Sequence, residues 1–549
     1  MSVIAATAAQ FQAPTLNWAA LAPLLFVLGA GVVGVLVEAF APRRARWLTQ
    51  LVLSLGALLA SFVALVLLWD DPPFSIGELG GATGGQPGVP LVSVLMDRPA
   101  IFLQATLVLL SILAVLTMAE RGGDAEAFAP QGSSVPGSVF EDAARRAGLN
   151  QTEIFPLMMF AVGGLMVFSS AGDLLTMFVG LEVFSLPLYI LCGLARRRRL
   201  LSQEASLKYF LLGAFSSALF LFGIALLYGF NGTVNLYEMR QVLTPERVLQ
   251  QDGNTLALVV GGVVLVMAGL LFKIGAVPFH SWTPDVYTGA PTSVTGFMAA
   301  CTKIAAFGAL MRVLFVGLGG LQDTWQPIVL VVSAVTMVLG SVVAIWQTDM
   351  KRMLAYSAIA HAGFVLTALV AVQTIGLSSM LFYLVAYGFT TIGAFAVVTL
   401  LRERDELGNV TGEATHLSQW AGLGRRSPVL AAVFTLFLLA FAGIPLTSGF
   451  TSKFAVFSAA VSGGQAWLAV VGVLMSAVSA FFYVRVIVLM YFTDAPAGAT
   501  TVVRARPFTS IAVAVGVAAT LLLGIVPAPV LALAGSAAGI SASATAEAP

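Results

Sequence analysis

The sequence predicts an all-α polytopic membrane protein. Of its 549 residues, 59% are hydrophobic and only 10% are charged, and the mean hydropathy is +0.96. A soluble domain usually carries about 25% charged residues, so this chain has too few charges to cover a surface in water. About fourteen apolar stretches, each near the length that crosses a bilayer, recur along the chain. Lipid is therefore the expected solvent for most of the molecule.

The expected spans follow from these apolar stretches in order. They lie near 17–40, 47–69, 94–119, 154–172, 174–195, 204–230, 254–278, 288–317, 325–347, 352–373, 376–402, 428–458, 464–493 and 507–535. No Lys or Arg precedes the first stretch, which is also too long for the apolar region of a cleaved signal. It is therefore expected to be a retained membrane helix.

Basic residues indicate the orientation. Most of the 27 Lys and Arg residues fall on alternate loops, at 43–46, 121–146, 196–199, 351–352, 402–426 and 504–506. The opposite loops carry only Arg98, Arg240 and Arg247. Because cytoplasmic loops are enriched in Lys and Arg, the first set is expected in the cytoplasm and both termini outside. The net charge of +1 gives no reason to expect a nucleic-acid partner.

The remaining loops and the cysteines suggest no further site. Segments 71–90 and 120–150 are rich in Gly, Pro, Ser and Ala and are expected to be flexible connections. Cys192 and Cys301 lie far apart within apolar stretches, where a thiol usually behaves as a small hydrophobe. Neither a disulfide nor a metal site is expected.

Two spans are expected to be discontinuous, and each is associated with a lysine. In GLLFKIGAVPFHSW, Gly275 and Pro278 follow Lys273; in LLAFAGIPLTSGFTSKF, Gly and Pro precede Lys453. Paired Gly/Pro-interrupted spans are typical of inverted repeats around an ion path near the midplane. The alternative is that each lysine caps a local carbonyl or pairs with a carboxylate.

Lys303 and Glu182 are the other ionisable residues well inside spans. Lys303 has no acidic residue within a helical turn, and burial of an unpaired lysine favours its neutral form, as a proton relay requires. Glu182 is the only carboxylate well inside a span. It is either the tertiary partner of a lysine or a protonated acid bonded to a neighbouring carbonyl.

Lys208 and His361 each leave two interpretations open. Glu204 precedes Lys208 by four residues, so Lys208 is either a relay residue or half of a local ion pair. His361 either exchanges protons between two halves of a path or is a satisfied core histidine. Arg312 and Arg485 lie nearer span ends, where snorkelling to the interface explains them. His280 and Asp285 flank the first helix break and indicate a wet entry or exit, or merely a polar loop.

Four stretches together resemble a known family. They are EASLKYFLLGAFSSALFLFGIALLYG, FFYVRVIVLMYF, KIGAVPFHSWTPDVYTGAPTSVTGFMAACTK and TDMKRMLAYSAIAHAG. Over nearly its whole length the chain resembles the subunit N family among the antiporter-like subunits of bacterial proton-pumping NADH:quinone oxidoreductase, respiratory complex I. The last two stretches are general to the antiporter-like superfamily, and the first two are specific to subunit N.

The resemblance implies a fold with two inverted five-helix repeats. These repeats would occupy 154–317 and 325–493, with three helices and a cytoplasmic loop in 1–153 and one helix and a tail in 494–549. It also implies residue roles: Glu182 and Lys273 as the coupled pair of the first repeat, Lys303 as the connecting lysine, and Lys453 as the terminal lysine. Lys208 matches an additional lysine of this subunit. The lysine at 453 argues against subunit M, which has glutamate there.

The resemblance implies proton translocation coupled to quinone reduction elsewhere in the complex. NAD, FMN, iron–sulfur clusters and quinone would then belong to other subunits, since the chain has no dinucleotide fingerprint, CxxC, HExxH or haem-like histidine pair. The expected partners are the other membrane and peripheral subunits of complex I and the bilayer. The alternatives are an Mrp-type Na⁺/H⁺ antiporter subunit and a membrane scaffold that conducts nothing.

Overall fold

The structure, a computed structural model, is built almost entirely of helices. It describes residues 15–75, 77–78, 92–121, 127–128, 138–147, 151–250, 253–371, 374–404, 410–494, 500–502 and 506–539. In these ranges, twelve helices are long and apolar enough to cross a bilayer: Trp18–Phe40, Arg43–Leu67, Arg98–Met118, Leu174–Cys192, Arg199–Asn231, Thr255–Ile274, Thr292–Gly317, Gly319–Ile345, Met350–Val370, Thr374–Val398, Ala466–Phe492 and Pro507–Ile525. The prediction of an all-α polytopic membrane protein is thereby confirmed.

Shorter apolar helices complete the bundle. Ile154–Ser170 has 17 residues, and at about 1.5 Å per residue it is nearly as long as the hydrocarbon core is thick. Pro428–Ala442 is followed, after a break, by Ser448–Ser462. The total of about fourteen spans and the division into inverted repeats stay predictions, because helix length and hydropathy alone do not establish how these shorter helices cross.

The two predicted helix breaks are present and share one backbone motif. The helix Gly253–Ile274 ends at Gly275, which has φ +77°, and Pro428–Ala442 ends at Gly443, which has φ +84°. Glycine adopts this left-handed conformation without a Cβ clash. At both breaks, the two amides after the helix return to carbonyls of its last turn, with N···O distances of 3.0 Å. This pairing is the Schellman arrangement of helix C-termini.

The chain resumes differently after each break. After the first, the short helix Trp282–Gly289 precedes the long buried helix Thr292–Gly317, which contains a π-helical segment at Met298–Thr302 immediately before Lys303. After the second, Ser448–Ser462 follows directly. Insertions of this π type often occur at functional sites because they re-aim the side chains that follow.

Central helices are buried within the bundle, whereas outer ones face its surroundings. The most apolar 18 residues are 94% buried in each of three helices, Thr292–Gly317, Met350–Val370 and Thr374–Val398. The corresponding share is 28% in Ala466–Phe492 and Pro507–Ile525. The apolar side chains exposed on the outer helices are those that lipid would cover. Two of the relay residues predicted from the sequence, Lys303 and His361, therefore lie on the most deeply buried helices.

Two expectations about the chain ends and loops need correction. The span expected at 507–535 stops at Ile525 and is followed by a separate helix, Ala528–Ala537, because Pro527 has no amide hydrogen to continue the first one. In the 120–150 loop, the described part contains a helix, Val139–Arg146, where only flexible chain was expected. Most of the 71–90 segment lies outside the described residues.

Short strands, which hydropathy did not predict, lie in the segments outside the helices. Leu401–Arg404 pairs antiparallel with both Val410–Glu413 and Thr500–Val502, and Arg402 lies opposite Glu413. We refer to the end of the molecule that carries this sheet, Arg198 and Lys351 as the basic end. Two-residue ladders also join Thr15–Leu16 to Gly77–Glu78, and Phe74–Ser75 to Leu95–Met96.

Candidate functional site

Lys273 lies at the end of the first broken helix in an aromatic setting. Its side chain is buried, and its Nζ donates a hydrogen bond to Ser185 Oγ at 2.8 Å. The rings of Phe184, Tyr189 and Tyr209 lie 5.3 to 5.9 Å from the same nitrogen. Aromatic faces attract a cation but carry no formal charge. The lysine is therefore held in place without a fixed counter-charge in contact.

Glu182 lies near Lys273 but is not in contact with it. Glu182 and Ser185 are three residues apart on the helix Leu174–Cys192, so both face the same neighbours. The carboxylate is close enough to Lys273 to interact with it electrostatically, yet no ion pair joins these two described residues. Its Oε1 is buried without a hydrogen-bond partner. The coupled pair expected from the family resemblance is thus brought together, separated by the Ser185 contact.

Lys303 caps the end of the first broken helix from a neighbouring helix. Its buried Nζ donates to the carbonyl oxygen of Ile274, the last residue of that helix, and to that of Ala358, both at 2.9 Å. The last carbonyls of a helix lack partners within it and carry partial negative charge. Lys303 therefore joins the first helix break to the helix Met350–Val370 through main-chain oxygens. As expected, Lys303 has no carboxylate within a turn on its own helix. Its amine bonds main-chain carbonyl oxygens of two other helices instead.

Lys453 makes the corresponding contacts at the second break. Its Nζ donates to the carbonyl oxygens of Phe441 at 2.9 Å and Ala442 at 3.1 Å, and to Ser476 Oγ at 2.8 Å. The ring of Phe364 lies 4.7 Å from the same nitrogen. Both broken helices thus end on a buried lysine amine, supplied by Thr292–Gly317 in one case and by Ser448–Ser462 in the other.

His361 lies within electrostatic reach of both Lys303 and Lys453. Its Nδ1 is 2.6 Å from the Tyr383 hydroxyl, and its Nε2 is 3.5 Å from the Tyr483 hydroxyl, which also bonds Ser357. Hydroxyls that bond both ring nitrogens fix the orientation of the imidazole. The alternative of a satisfied core histidine is compatible with the same contacts.

A cavity of about 200 Å³ adjoins this histidine on the side of the second break. Polar side chains of six residues line it, namely His361, Tyr383, Tyr387, Thr390, Ser448 and Ser452. Thr390 Oγ1 also lies 3.1 Å from Thr520 Oγ1 of the helix Pro507–Ile525. A polar cavity with several donors and acceptors is suited to water. His361 and the hydroxyls that bond it thus border a polar cavity and lie within electrostatic reach of both lysines.

Lys208 lies in a separate ion-pair cluster and is partly exposed. Its Nζ is 2.7 Å from Glu204 and 2.7 Å from Asp285, and Asp285 is also 2.6 Å from Arg352. The local pair expected with Glu204 is present, and the tertiary pair with Asp285 adds to it. Burial alone would raise the pKa of Asp285, but hydrogen bonds from Lys208 and Arg352 hold it below its usual value. The relay role of Lys208 stays a prediction.

Arg312 corrects one interpretation. It does not snorkel to an interface, because its side chain is completely buried and forms a forked pair with Asp97 at 2.6 and 3.1 Å, while its Nε donates to the Ser169 carbonyl. Asp97 also caps the helix Arg98–Met118 by accepting from the Ala100 amide. The Asp-Arg-Pro sequence signalled the cap, but not its partner 215 residues away.

Sequence reasoning also missed the hydroxyl residues of the site. Ser185, Ser476, Tyr383 and Tyr483 contact the predicted ionisable groups directly. One signal was available, because Ser185 follows Glu182, the only carboxylate that the sequence places well inside a predicted span, by three residues and so shares its helix face. Among the described residues, no group of three or more His, Cys, Asp or Glu side chains is arranged to hold a metal ion.

Comparison with known proteins gives concordant matches. Residues 171–479, which include both broken helices, match the family described as NADH:quinone oxidoreductase/Mrp antiporter, TM. NADH-quinone oxidoreductase subunit N of Beutenbergia cavernae is 59% identical over 95% of this chain and 98% of that protein. Subunit N of Rhodococcus opacus is 55% identical over 97% and 98%, and that of Mycobacterium tuberculosis is 52% identical over 96% and 98%.

Solved structures share the architecture. A chain of respiratory complex I from Thermus thermophilus with bound aureothin matches with a TM-score of 0.71 and 30% identity, over 93% of this chain and 99% of that one. A chain of the Mrp complex from Dietzia matches with a TM-score of 0.73 over 95% and 97%, at 23% identity, which shows the fold alone.

Proposed function

The chain belongs to the NADH-quinone oxidoreductase subunit N family, and from that premise we propose that it translocates protons as a membrane subunit of NADH:quinone oxidoreductase. One observation carries the proposal for its residues: the amines of Lys303 and Lys453 each cap the end of a broken helix, and both lie within electrostatic reach of His361. Buried ionisable groups in a membrane interior are costly and are usually retained for transport.

The first step is a change of partner at Lys273. With its Nζ on Ser185, the lysine has a neutral partner and a desolvated site, which disfavour its charged form. Contact with the nearby Glu182 carboxylate would favour the charged form, because opposite charges at short range stabilise each other strongly away from water. Quinone reduction in another subunit is proposed to shift this balance and so to load or release the proton.

Later steps use the capped helix ends. A charged amine at Lys303 is stabilised by the partial negative charge of the Ile274 carbonyl, so a proton can be held there without a carboxylate. His361 exchanges protons with this site and passes them to the cavity that it lines together with Ser448 and Ser452 of the second broken span. Like charges repel in the low-dielectric interior, so protonation of one lysine favours release from the next.

The two halves are proposed to be inverted repeats, at 154–317 and 325–493. The same Schellman ending at Gly275 and Gly443, and the same capping by a buried lysine, support this division. Broken helices in corresponding positions of two halves are characteristic of ion transporters with internal repeats.

The rest of the complex supplies the redox chemistry in this proposal. NAD, FMN, iron–sulfur clusters and quinone are assigned to other subunits, and neighbouring antiporter-like and small membrane subunits are the proposed contacts of the outer helices. The chain is proposed to lie in the bacterial cell membrane with the basic end in the cytoplasm and both termini outside, because basic loops remain on the cytoplasmic side.

The test replaces Lys303, the connecting lysine. In membranes carrying Lys303→Met, we expect the complex to assemble, as judged on a native gel, while proton pumping per NADH oxidised falls sharply. Cys301→Ala, a buried uncharged change two residues away, is the matched control and retains pumping. Normal pumping in Lys303→Met would favour a scaffold that conducts nothing. Failure of the tagged chain to co-purify with NADH dehydrogenase modules would instead favour an Mrp-type antiporter.

A further inference from the structure

Thr283 carries a hydroxyl that forms no hydrogen bond within the described part of the chain. The residue lies on the short helix Trp282–Gly289, just after the first helix break, and it is 1% exposed. Its Oγ1 is buried without a partner. Native proteins satisfy nearly all buried hydroxyls, because an unpaired one costs folding free energy. The proton path proposed above does not use this residue.

The hydroxyl of Thr283 and the amine of Lys303 lie beside the same glycine. A Cβ added at Gly275 would be 2.9 Å from Thr283 Oγ1 and 4.0 Å from Lys303 Nζ. The two atoms are therefore no farther apart than these two distances laid end to end. Yet no hydrogen bond joins them, and Nζ donates to the carbonyl oxygens of Ile274 and Ala358. The hydroxyl is thus close to the amine but is not its partner in this structure.

The other two buried lysines of the site each bond a hydroxyl. Lys273 Nζ donates to Ser185 Oγ at 2.8 Å, and Lys453 Nζ donates to Ser476 Oγ at 2.8 Å. The two hydrogen bonds that Lys303 makes to described residues both go to main-chain carbonyls. The type of contact that its counterparts make is therefore within reach of Lys303 but is not made.

A change of rotamer would bring the amine of Lys303 to the hydroxyl of Thr283. Lysine has a flexible stem and several N–H donors, so one amine serves more than one acceptor. Ile274 directly precedes Gly275 in the chain. The amine can therefore keep the Ile274 carbonyl and exchange the Ala358 carbonyl for the hydroxyl, which removes the unpaired group.

This exchange moves the amine from one proposed half of the chain towards the other. Ala358 lies on Met350–Val370, three residues before His361, so both residues share a helix face. Thr283 belongs to the first half. We propose that Thr283 is a positioning residue for Lys303, which receives the amine in a second position and so withdraws it from the helix of His361. The inference rests on the proposed function, because the withdrawal matters only if Lys303 carries a proton.

Pumping by complexes with Thr283→Val tests the inference. Valine keeps the branched shape and removes the hydroxyl, and no hydrogen bond of the described chain is lost. We therefore expect normal assembly on a native gel, while the protons pumped per NADH oxidised fall several-fold. Thr283→Ser keeps a hydroxyl and should retain most of the yield. If Thr283→Val assembles poorly, Thr283→Ala takes its place in the comparison with Thr283→Ser.

Thr288→Val is the matched control on the same helix. Its hydroxyl bonds the Pro284 carbonyl at 2.7 Å and no lysine, so the proton yield should stay normal. A yield that falls as far in Thr288→Val as in Thr283→Val would show a general effect of hydroxyl loss in this helix. That result, or equal yields for Thr283→Ser and the variant without a hydroxyl, would overturn the inference.

Lys303→Met separates the inference from the function on which it rests. Where Lys303→Met leaves a measurable yield, adding Thr283→Val should lower it no further, because residues that act through one another are not additive. A low yield in Lys303→Met with a normal yield in Thr283→Val would overturn the inference and leave the proposed function intact. A normal yield in Lys303→Met would overturn the proposed function and the inference with it.

Discussion

Lys273 bonds the hydroxyl of Ser185 at 2.8 Å, although the carboxylate of Glu182 lies three residues away on the same helix. The lysine thus has a neutral partner in contact and a charged partner within electrostatic reach. Because an opposite charge favours the protonated amine and desolvation favours the neutral one, a small movement of this side chain changes the proton occupancy. The account of coupling depends on this choice of partner.

Ser185→Ala should slow proton pumping several-fold while the complex still assembles. The change removes the acceptor that holds Lys273 away from Glu182, and such a hydrogen bond contributes about 1 kcal/mol or somewhat more. Proton pumping and NADH oxidation are measured in the same vesicles, and the result is the ratio of protons pumped to NADH oxidised. Ser206→Ala, which removes a hydroxyl that bonds the Tyr189 carbonyl and no lysine, should leave the ratio unchanged. Equal effects of both changes would contradict a specific role for Ser185.

Gly443→Ala should impair pumping through Lys453. A Cβ at this position would lie 3.0 Å from the Lys453 side chain, and alanine at φ +84° adds strain of about 1–2 kcal/mol. Gly464→Ala provides a control with the same type of strain, because Gly464 has φ +78° and open space around it. We expect pumping to fall in Gly443→Ala and to persist in Gly464→Ala. Unchanged pumping in both would show that the lysine cap at the second break tolerates displacement.

Arg312→Met should prevent or greatly reduce assembly. The change leaves Asp97 without its buried forked partner, and breaking such a pair costs about 3–5 kcal/mol. Arg312→Lys keeps the charge but cannot reproduce the fork, so an intermediate amount of assembled complex is expected. The amount is read from native gels of membranes. Wild-type levels of Arg312→Met would show that the pair is not needed for the fold.

The ion pairs of Asp285 should stabilise the folded chain by an amount that does not vary near neutral pH. Its pKa in the folded chain lies below the unfolded value of about 3.9, so its ion pairs stabilise the folded state fully above that value and lose this effect only as the pH falls through the lower, folded pKa. Because its partners are partly exposed, Asp285→Asn should cost about 1 kcal/mol or less.

The measurement is hydrogen exchange in Trp282–Gly289 for wild type and Asp285→Asn, from about pH 6 to about pH 8, a range that lies above both pKa values. The difference between the two should be constant across this range after correction for intrinsic exchange. A difference that shrinks towards about pH 6 would mean that Asp285 titrates there. That result would contradict the lowering of its pKa by its cationic partners.

Local features of the fold could be predicted from the sequence, whereas tertiary partners could not. Gly275 and Gly443 marked both helix breaks because backbone conformation at a glycine is decided locally. Hydropathy likewise located most spans within a few residues. The Arg312–Asp97 pair escaped prediction because its members lie 215 residues apart, and Arg312 was instead interpreted as snorkelling. Pro527, which splits the last predicted span, is a local signal that was overlooked.

The site shows the same division. The ionisable residues were identifiable because a charge within a long apolar stretch is conspicuous. The carbonyls that Lys303 and Lys453 cap, and the tyrosines around His361, belong to other helices and are not marked by any spacing. The three short sheets among the described residues also escaped prediction, since strands of two to four residues leave no periodic pattern.

Proton pumping by a Lys273→Met complex tests the central claim most directly. Inverted membrane vesicles are assayed for pumping and NADH:quinone electron transfer, and assembly is checked on a native gel, with Leu271→Met as the matched control in the same helix. The account predicts an assembled complex with a strongly reduced proton yield in Lys273→Met and a normal yield in the control. Normal pumping and electron transfer in Lys273→Met would contradict the relay and leave the chain as a membrane scaffold.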